Sequence, residues 1–489
     1  MDSIINHPLA LSIIVALPLF GVIARLFGAT FRRIARWYLY LAVFAVVVVM
    51  NSIFFPFIGG KDYFFRYAVE LALMAYALFW AFEAGEGEVW KSVKEAARKP
   101  LAIAVTAFAA MFLLASLFAY DMHAAFWSNY ERGEGGFQML HYYAFFALLV
   151  LLFNTEKEWK NLFRFSLVAA GGMILYGILG NYAVQGTIGP YTGNVAPVGW
   201  WHTLIDGRFQ GSLGNPAYVA PYLMFSMFYA GYLWVRRTAS APASRAVRAW
   251  TGVGWGALIA VFVFFFFISQ TRGAFLGLGA GLFVFTLYLA IAGRGKMRKW
   301  AGAVAILLVV LGGTIYALRK SPITNMIPEG RLLQISLSDA TAQTRLWVWG
   351  EAWHGFLERP VLGWGPENFT AVYDKFFNPK FFVPGQNGET WFDRAHSVYF
   401  DYLAETGILG LLAYLSIWAV FFTEFARRHR HGNDRSPKAI VERGMILAMP
   451  VAYLVQGVAI FDVFPMYLNV FLFAGFAYWY FYHHHGQNA

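Results

Sequence analysis

The stretch WFDRAHSVYFDYLAETGILG, residues 391–410, joins several charged residues and one histidine to an apolar run. An imidazole has an unperturbed pKa of about 6.5, so His396 suits the role of a general base at neutral pH. Asp393, Asp401 and Glu405 lie near it in sequence, and any one of them could orient the ring. The spacing alone does not decide among these three carboxylates.

Four arginines are candidates to bind an anion beside this histidine: Arg208, Arg272, Arg345 and Arg394. A guanidinium group is planar and matches phosphate oxygens with paired donors. Arg272, in ISQTRGAFLG, lies between two apolar runs, and an arginine at membrane depth is costly unless it is paired or hydrated. The alternative for Arg272 is a side chain that snorkels to the lipid headgroups. Arg208 could instead cap a loop, and Arg345 could be a solvated residue.

Composition predicts the environment in which these residues work. The chain has 489 residues, of which 59% are hydrophobic, 19% aromatic and only 13% charged, whereas soluble proteins carry about 25% charged residues. Repeated apolar runs of about 20 residues are typical of a polytopic membrane protein. The chain contains no cysteine, which excludes disulfides, thiolate catalysis and cysteine-ligated zinc.

The apolar runs predict an all-α integral membrane protein with about 12–13 transmembrane helices. Most of the 38 Lys and Arg residues fall in alternate loops between these runs. Such alternation places the basic loops in the cytoplasm and accounts for the net charge of +11 without nucleic acid. The predicted runs are 8–28, 37–57, 63–82, 101–120, 137–153, 160–181, 214–235, 251–270, 273–293, 300–318, 397–424, 439–460 and 463–482.

Three segments are predicted along the chain. Residues 1–318 form transmembrane helices 1–10 with an outer loop over 182–213. Residues 319–396 form a long extracytoplasmic loop, and 397–489 form helices 11–13 and a cytoplasmic tail. The sequence TRLWVWGEAWHGFLERP in the long loop has Trp and Leu at helical spacing and stops before Pro360, which predicts an amphipathic helix. An insertion of this length is typically functional or a small domain.

A histidine with several arginines on the outer face is compatible with transfer from a diphosphate donor. The sequence has no Walker-type phosphate loop and no acidic pair that stands out as a divalent-metal site. Nucleotide sugars are cytoplasmic, so the expected outward-facing donor is a polyprenyl-linked glycan. We expect arginines to stabilise the leaving diphosphate and His396 to take the proton from an attacking hydroxyl.

These residues resemble motifs of the bacterial O-antigen ligase family, which includes O-antigen polymerases and O-oligosaccharyltransferases. HSVYFDYLAETGILG carries His396, Gly407 and Gly410 in the spacing of the family's histidine motif. SQTRGAFLGLGAG and TRLWVWGEAW are similar to its arginine elements, through Arg272 and Arg345, and GWGPENF and WFDRAH are also typical. The resemblance covers about residues 205–415. Leu411 departs from the small residue that often follows the second glycine.

The resemblance implies an inverting, metal-independent glycosyltransferase that needs no cofactor. Members take a glycan from undecaprenyl diphosphate and move it to an acceptor on the periplasmic face of the bacterial inner membrane. The acceptor is the lipid A core, a growing glycan chain or a protein hydroxyl. By this resemblance His396 is the base, and Arg272 and Arg345 bind the diphosphate. Position alone adds Arg208 and Arg394 to the diphosphate site.

Other classes of function remain as alternatives. A flippase or transporter for lipid-linked sugars predicts ionisable residues at midplane sites in several spans, whereas the cluster here lies at the outer edge. A purely structural membrane scaffold leaves the arginines without a role. The expected partners are therefore the lipid-linked donor, its acceptor and membrane lipids.

Overall fold

The computed structural model describes residues 8–50, 55–129, 132–184, 208–237, 245–319, 340–382, 391–430 and 434–483. Across these residues the regular elements are helices, and no strand occurs. The predicted all-α fold class is therefore confirmed. The described residues form two compact units, each made of separate stretches of the chain.

Unit 1 comprises Met1–Ala169, Thr344–Glu424 and Phe461–Ala489. Its first helices are α1 (Pro8–Leu26), α2 (Phe31–Ala42), α3 (Gly59–Phe82), α4 (Glu88–Ala97), α5 (Pro100–Leu117), α6 (Met122–Trp127), α7 (Gly136–Leu152) and the start of α8 (Glu156–Val184). Its later helices are α13 (Ala340–Glu358), α14 (Phe369–Lys375), α15 (Val398–Arg430) and α17 (Phe464–Tyr482). The first residues of α13 and the last of α15 belong to unit 2.

Unit 2 comprises Ala170–Gln343 and Phe425–Ile460. Its helices are α9 (Pro216–Val235), α10 (Arg245–Ile268), α11 (Arg272–Ala292), α12 (Gly295–Leu318) and α16 (Pro437–Gln456). Short 3₁₀ helices occur at Val43–Val47, Gly211–Leu213 and Pro379–Phe381.

Nine of the described helices are long and apolar enough to cross a membrane: α1, α3, α5, α8, α10, α11, α12, α15 and α16. The shorter apolar helix α7 corresponds to the predicted run 137–153, and α9 and α17 correspond to the runs 214–235 and 463–482. This number of apolar helices confirms a polytopic membrane protein. The division at residues 318 and 396 stays a prediction. Most of the predicted outer loop 182–213 lies outside the described residues, as do residues 320–339 and 383–390 of the longer loop.

The predicted run 37–57 differs most from the structure. Helix α2 ends at Ala42 and continues as a 3₁₀ helix only to Val47. Val48 is extended, and the Met50 N–H donates to the Pro56 carbonyl at 3.0 Å. An apolar run reports burial but not where the backbone turns, and Pro56 favours an extended residue before it. The run therefore overestimated the length of this helix.

Aromatic side chains fill the interior of unit 1. Helix α17 is buried from Phe464 to Phe481 and contacts α5 and α7. The ring of Tyr142 on α7 stacks on Tyr467 and Phe471 of α17, with centroids 5.1 and 5.7 Å apart. Stacked aromatic pairs contribute about 0.5–1.5 kcal/mol beyond the area they bury. This core holds the helices from which the polar residues of unit 1 project.

Close backbone contact joins two helices of unit 2. Helices α11 and α16 make the most extensive helix pair in this unit. A Cβ atom at Gly277 would lie 2.5 Å from the Ala452 carbonyl oxygen, so only glycine permits this approach. Small residues at helix interfaces are the usual means of close packing in membranes. The glycine-rich sequence of α11 therefore serves packing behind Arg272, its first residue.

Candidate functional site

His396 lies in a turn just before α15, with its backbone in the left-handed region at φ 54°. Its Nδ1 lies 3.0 Å from the Arg394 carbonyl oxygen. The rings of Phe392 and Phe461 meet the imidazole edge-on, with centroids 5.2 and 5.0 Å away. A carbonyl can only accept a hydrogen bond, so we assign the proton of the neutral ring to Nδ1. The Nε2 lone pair then remains available to accept a proton.

The surroundings of His396 keep its ring neutral. Burial lowers the pKa of His396 below its ordinary value, and the charge of Arg345 lowers it further. The hydrogen bond to the Arg394 carbonyl and the carboxylates of Asp401 and Asp393 act in the opposite direction without reversing the shift. At neutral pH the imidazole is therefore in the form that a general base requires.

Arg394 lies in a buried cluster of ions directly beside the histidine. Its Nη1 donates to Glu367 Oε1 at 2.6 Å, and its Nε donates to Asp401 Oδ2 at 2.9 Å. Glu405 Oε1 lies 3.9 Å from the same Nη1. Burial alone lowers the pKa of Arg394, but the three carboxylates raise it well above its ordinary value. Arg394 is thus a permanent cation, and its contacts favour a role in positioning the loop.

Asp401 fixes the loop that carries His396 at two points. One carboxylate oxygen accepts the Arg394 Nε–H, and the other accepts the Ala395 backbone N–H at 2.6 Å. None of the three carboxylates near in sequence is the hydrogen-bond partner of the ring, because Nδ1 faces the carbonyl of Arg394. Asp401 therefore acts on His396 indirectly, through the Arg394 side chain and the Ala395 backbone N–H.

Arg132 supports the histidine from another part of the chain. Its guanidinium binds Asp393 with two hydrogen bonds, Nε to Oδ2 at 2.7 Å and Nη2 to Oδ1 at 3.0 Å. It also lies 5.0 Å from the centroid of the Phe461 ring, which contacts His396. Sequence reasoning missed Arg132 and Phe461. Both residues are far from residue 396 along the chain, so the sequence gave no sign that they lie near this histidine.

The carboxylate cluster extends through a serine. Ser128 Oγ donates to Glu367 Oε2 at 2.9 Å and accepts the Glu134 N–H at 3.0 Å. Burial raises the pKa of Glu367, and it raises the pKa of Glu134 well above its ordinary value. Burial therefore acts against the ionised forms of these two acids, while the arginine charges beside them favour those forms.

The first motif glycine breaks α15. Gly407 has φ 63° and ψ −167°, which interrupts the helical backbone. The segment 360–365 crosses this break and bonds to both sides of it. The Trp364 and Gly365 N–H groups donate to the Ala404 and Glu405 carbonyls at 2.9 and 2.8 Å, and the Ile408 N–H donates to the Pro360 carbonyl at 2.9 Å. A Cβ at Gly407 would lie 2.4 Å from the Val361 carbonyl carbon.

This crossing explains why the GWGPENF and histidine motifs occur together. The crossing segment leads directly to Glu367, whose backbone N–H donates to Glu405 Oε1 at 3.1 Å. The break in α15 thus helps place Glu367 against Arg394. Gly410 lies one turn further, where a Cβ would lie 2.0 Å from Thr406 Oγ1.

Helix α13 carries Arg345 and contacts the loop that precedes the histidine. The Trp349 indole N–H donates to the Ala395 carbonyl at 3.1 Å, and its ring stacks on Phe400 at 5.1 Å. Arg345 lies one turn before Trp349 and so projects from a neighbouring position on that helix face. Its charge acts on the pKa of His396. The predicted amphipathic helix therefore brings this arginine within electrostatic range of the imidazole.

Arg208 and Arg272 lie in unit 2. The Arg208 guanidinium donates to the Ser269 carbonyl at 3.1 Å, and to the Gln270 carbonyl and Thr271 Oγ1 at 3.4 Å each. It thereby satisfies carbonyl groups at the end of α10. Arg272, half-buried, follows as the first residue of α11. The structure thus joins Arg208 to the turn that carries Arg272. In unit 1 it joins Arg394 to His396, and the charge of Arg345 acts on the same imidazole.

The arrangement in unit 1 is that of a neutral imidazole on which the charge of an arginine acts. A neutral imidazole can accept a proton, and Arg345 can stabilise a negative charge beside it. Within the described segments, no three His, Cys, Asp or Glu side chains form a group that could hold a metal ion.

Comparison with known proteins identifies the central part of the chain. No curated protein matches it. A family model described as O-antigen ligase matches residues 222–415, a segment that contains Arg272, Arg345, His396 and both motif glycines. The resemblance drawn from the motifs is thereby confirmed: this segment is similar to the O-antigen ligase and polymerase type, a family that suggests a glycosyltransferase-like enzyme, and it lies in a multi-pass membrane protein.

Proposed function

We propose that this protein transfers a glycan from undecaprenyl diphosphate to an acceptor hydroxyl, in the manner of an O-antigen ligase. One observation carries the proposal. His396 is a neutral imidazole whose Nδ1 is engaged by the Arg394 carbonyl, in electrostatic range of Arg345. That arrangement suits a base acting next to a developing negative charge.

The reaction is a single displacement at the anomeric carbon. The acceptor oxygen forms a bond to this carbon while its proton passes to His396 Nε2. The bond from the anomeric carbon to the diphosphate oxygen breaks on the opposite side, and the diphosphate leaves with the electron pair. Attack from the face opposite the leaving group inverts the anomeric centre. The protonated imidazole then releases its proton, which restores the base.

The arginines have separate roles in this proposal. Arg345 is the proposed diphosphate ligand in unit 1, and Arg272 keeps that role as a prediction from its motif. Arg208 supports Arg272 through the Thr271 turn while contributing charge. In this reaction arginines, rather than a metal ion, balance the charge of the leaving group. Arg394 was also expected at the diphosphate, and that remains a prediction. Its engagement by Glu367 and Asp401 favours a positioning role.

The proposed location is the inner membrane of a bacterium, with the site facing the periplasm. Alternating basic loops support this orientation. The lipid part of the donor would then lie in the bilayer and its diphosphate at the headgroup level. The acceptor is the lipid A core or a similar hydroxyl-bearing molecule.

The test is transfer by purified protein from a synthetic polyprenyl diphosphate sugar. We expect His396→Ala to lose about 100- to 10,000-fold in rate, as is usual on removal of a general base. His354→Ala is the matched control, because His354 is an exposed histidine on α13. Normal transfer by His396→Ala at equal abundance would reject the assignment.

Polymerase and protein O-oligosaccharyltransferase activities are the second candidates, because the matching family supports a ligase or polymerase type of enzyme. They use the same donor and base but a different acceptor. Gels of surface glycan from cells that carry His396→Ala separate these activities. Loss of the chain-length ladder with intact attachment to lipid A indicates a polymerase. Loss of glycan from a protein band indicates protein glycosylation. A flippase would give no transfer in the purified system.

A further inference from the structure

Helix α13 exposes one apolar stripe and buries the opposite one. Leu346, Trp353 and Leu357 are 41%, 47% and 57% exposed, and their spacing places them on one face of the helix. The opposite face buries Val348 and Ala352, which belong to a hydrophobic core with Trp364 and Phe369. An apolar face of this kind, unlike single exposed residues, indicates an interaction surface.

The end of α13 is tied to the end of a membrane span. The Arg359 guanidinium lies 5.7 Å from the Tyr120 ring centroid and 4.7 Å from that of Trp364. The Tyr120 N–H also donates to the Trp364 carbonyl at 2.8 Å. Tyr120 comes three residues after the end of α5, one of the candidate spans. Trp, Tyr and Arg are the residues that anchor proteins at the membrane–water interface.

Exposed apolar residues also continue from the stripe to this span. Val361, just past α13, is 55% exposed. Leu117 at the end of α5, with Phe118 and Met122 beyond it, is also exposed. Exposed apolar residues therefore occur both on α13 and at the end of α5 to which α13 is tied, all within unit 1.

We propose that the exposed stripe of α13 is buried in the lipid leaflet at which α5 ends. Leu346, Trp353 and Leu357 enter the boundary between headgroups and acyl chains, as amphipathic helices at membrane surfaces do. The partner is the phospholipid leaflet itself. Because Arg345 and Trp349 flank the stripe, this contact holds them at headgroup depth. The inference stands on the exposure pattern and on the link to α5, and does not require the proposed reaction.

The absence of cysteine makes a direct test simple. Single cysteines replace Leu346, Trp353 or Leu357 in the full chain, carry a nitroxide, and are measured in phosphatidylethanolamine–phosphatidylglycerol nanodiscs. Glu358→Cys is the matched control, since Glu358 is exposed beside Leu357 and forms only an exposed ion pair with Lys375. Frequent collisions of the nitroxide with dissolved oxygen indicate a lipid environment, because oxygen concentrates in the bilayer. Frequent collisions with a water-soluble nickel chelate indicate exposure to water.

At residues 346, 353 and 357 we expect oxygen to relax the nitroxide more strongly than the nickel chelate, with the reverse at residue 358. Two outcomes overturn the proposal. Nickel accessibility at all three stripe positions equal to that at 358 would place the stripe in water. Low accessibility to both reagents would show that protein, such as a second copy of the chain, covers it. All four positions are on exposed surface, so correct folding is checked by an unchanged elution volume.

Discussion

At the scale of single residues, the partner of His396 matters more than its position in a motif. A backbone carbonyl, not a carboxylate, faces Nδ1. A carbonyl selects the tautomer without the large rise in pKa that a bonded carboxylate produces. Burial and Arg345 then lower the pKa of the ring. The site therefore favours the neutral imidazole while a positive charge acts on it.

This electrostatic coupling predicts a pH effect of Arg345→Gln. In the proposed reaction the active form of His396 is neutral, so activity falls as the pH drops through its pKa. Loss of the Arg345 charge raises that pKa, so the acidic limb of kcat/KM moves to higher pH. We expect up to about 0.7 pH unit, because partly exposed charge pairs contribute about 0.2–1 kcal/mol and one pKa unit is about 1.4 kcal/mol.

The control for this shift is Lys375→Gln, which removes one positive charge at an exposed ion pair in the same unit. The carboxylates that act on His396, Asp393 and Asp401, are unchanged in both variants. An acidic limb at the same pH in wild type and Arg345→Gln would contradict the coupling, whatever the change in rate.

Asp401→Ala tests the positioning of the loop. The substitution leaves Arg394 with fewer partners in a buried site and frees the Ala395 N–H. Breaking a buried ion pair on one side typically costs about 3–5 kcal/mol. We expect a lower apparent melting temperature in detergent and a fall in kcat that exceeds the change in KM. Asp401→Glu should restore part of kcat. Equal loss of kcat in the Ala and Glu variants with unchanged melting would argue against positioning.

At the scale of elements, the break in α15 and the segment that crosses it act together. The backbone is not helical at Gly407. There, backbone groups of the segment 360–365 form hydrogen bonds with backbone groups of α15 on both sides of the break. Sequence reasoning identified Gly407 as a motif residue and GWGPENF as a turn. It did not predict that the two would touch, because periodicity describes one element at a time and the contact joins residues far apart in the chain.

Gly407→Ala tests the contact between the break in α15 and the segment 360–365. An alanine in the left-handed region costs about 1–3 kcal/mol, and its Cβ would also press on the Val361 backbone. We expect a lower apparent melting temperature and reduced transfer. Gly350→Ala is the opposite control: nothing lies within 4 Å of a Cβ there, and alanine inside a helix is favoured by about 0.5–1 kcal/mol. Equal melting temperatures for the two variants would show that the break tolerates a side chain.

At the scale of the whole molecule, composition and apolar periodicity predicted the all-α membrane class correctly, because both depend on residues summed over long stretches. The same signals failed at run 37–57, where the helix stops at Val47 in an apolar sequence. The site was predictable only in part. His396 and Arg345 were recognised by their motifs. Glu367, Arg132 and Phe461 lie near His396 only because distant segments of the chain pack together. Arg394 stood out as a cation, but its buried carboxylate partners were visible only in three dimensions.

A further buried acid near Arg394, Glu134, leads to a prediction about how the stability of the whole protein depends on pH. Burial raises the pKa of Glu134 well above its ordinary value, and its side chain is 4% exposed. An acid whose pKa is higher in the folded than in the unfolded state destabilises the fold as the pH rises above the unfolded pKa. Glu134→Gln removes that titration and keeps the shape. We therefore expect the variant to melt at a higher temperature than wild type at pH 8, with a smaller difference at pH 5.

The matched comparison for Glu134→Gln is Glu358→Gln, an equally conservative change at an exposed side chain on α13. It alters net charge by the same amount but removes no buried carboxyl group. Its effect on melting should therefore not grow between pH 5 and pH 8. If Glu134→Gln instead lowers the melting temperature at both values, the carboxylate is charged and needed by Arg394 and Arg132, the two arginines whose charges act on it. The cluster would then be a fully ionised network, and its excess of acids would need a different explanation.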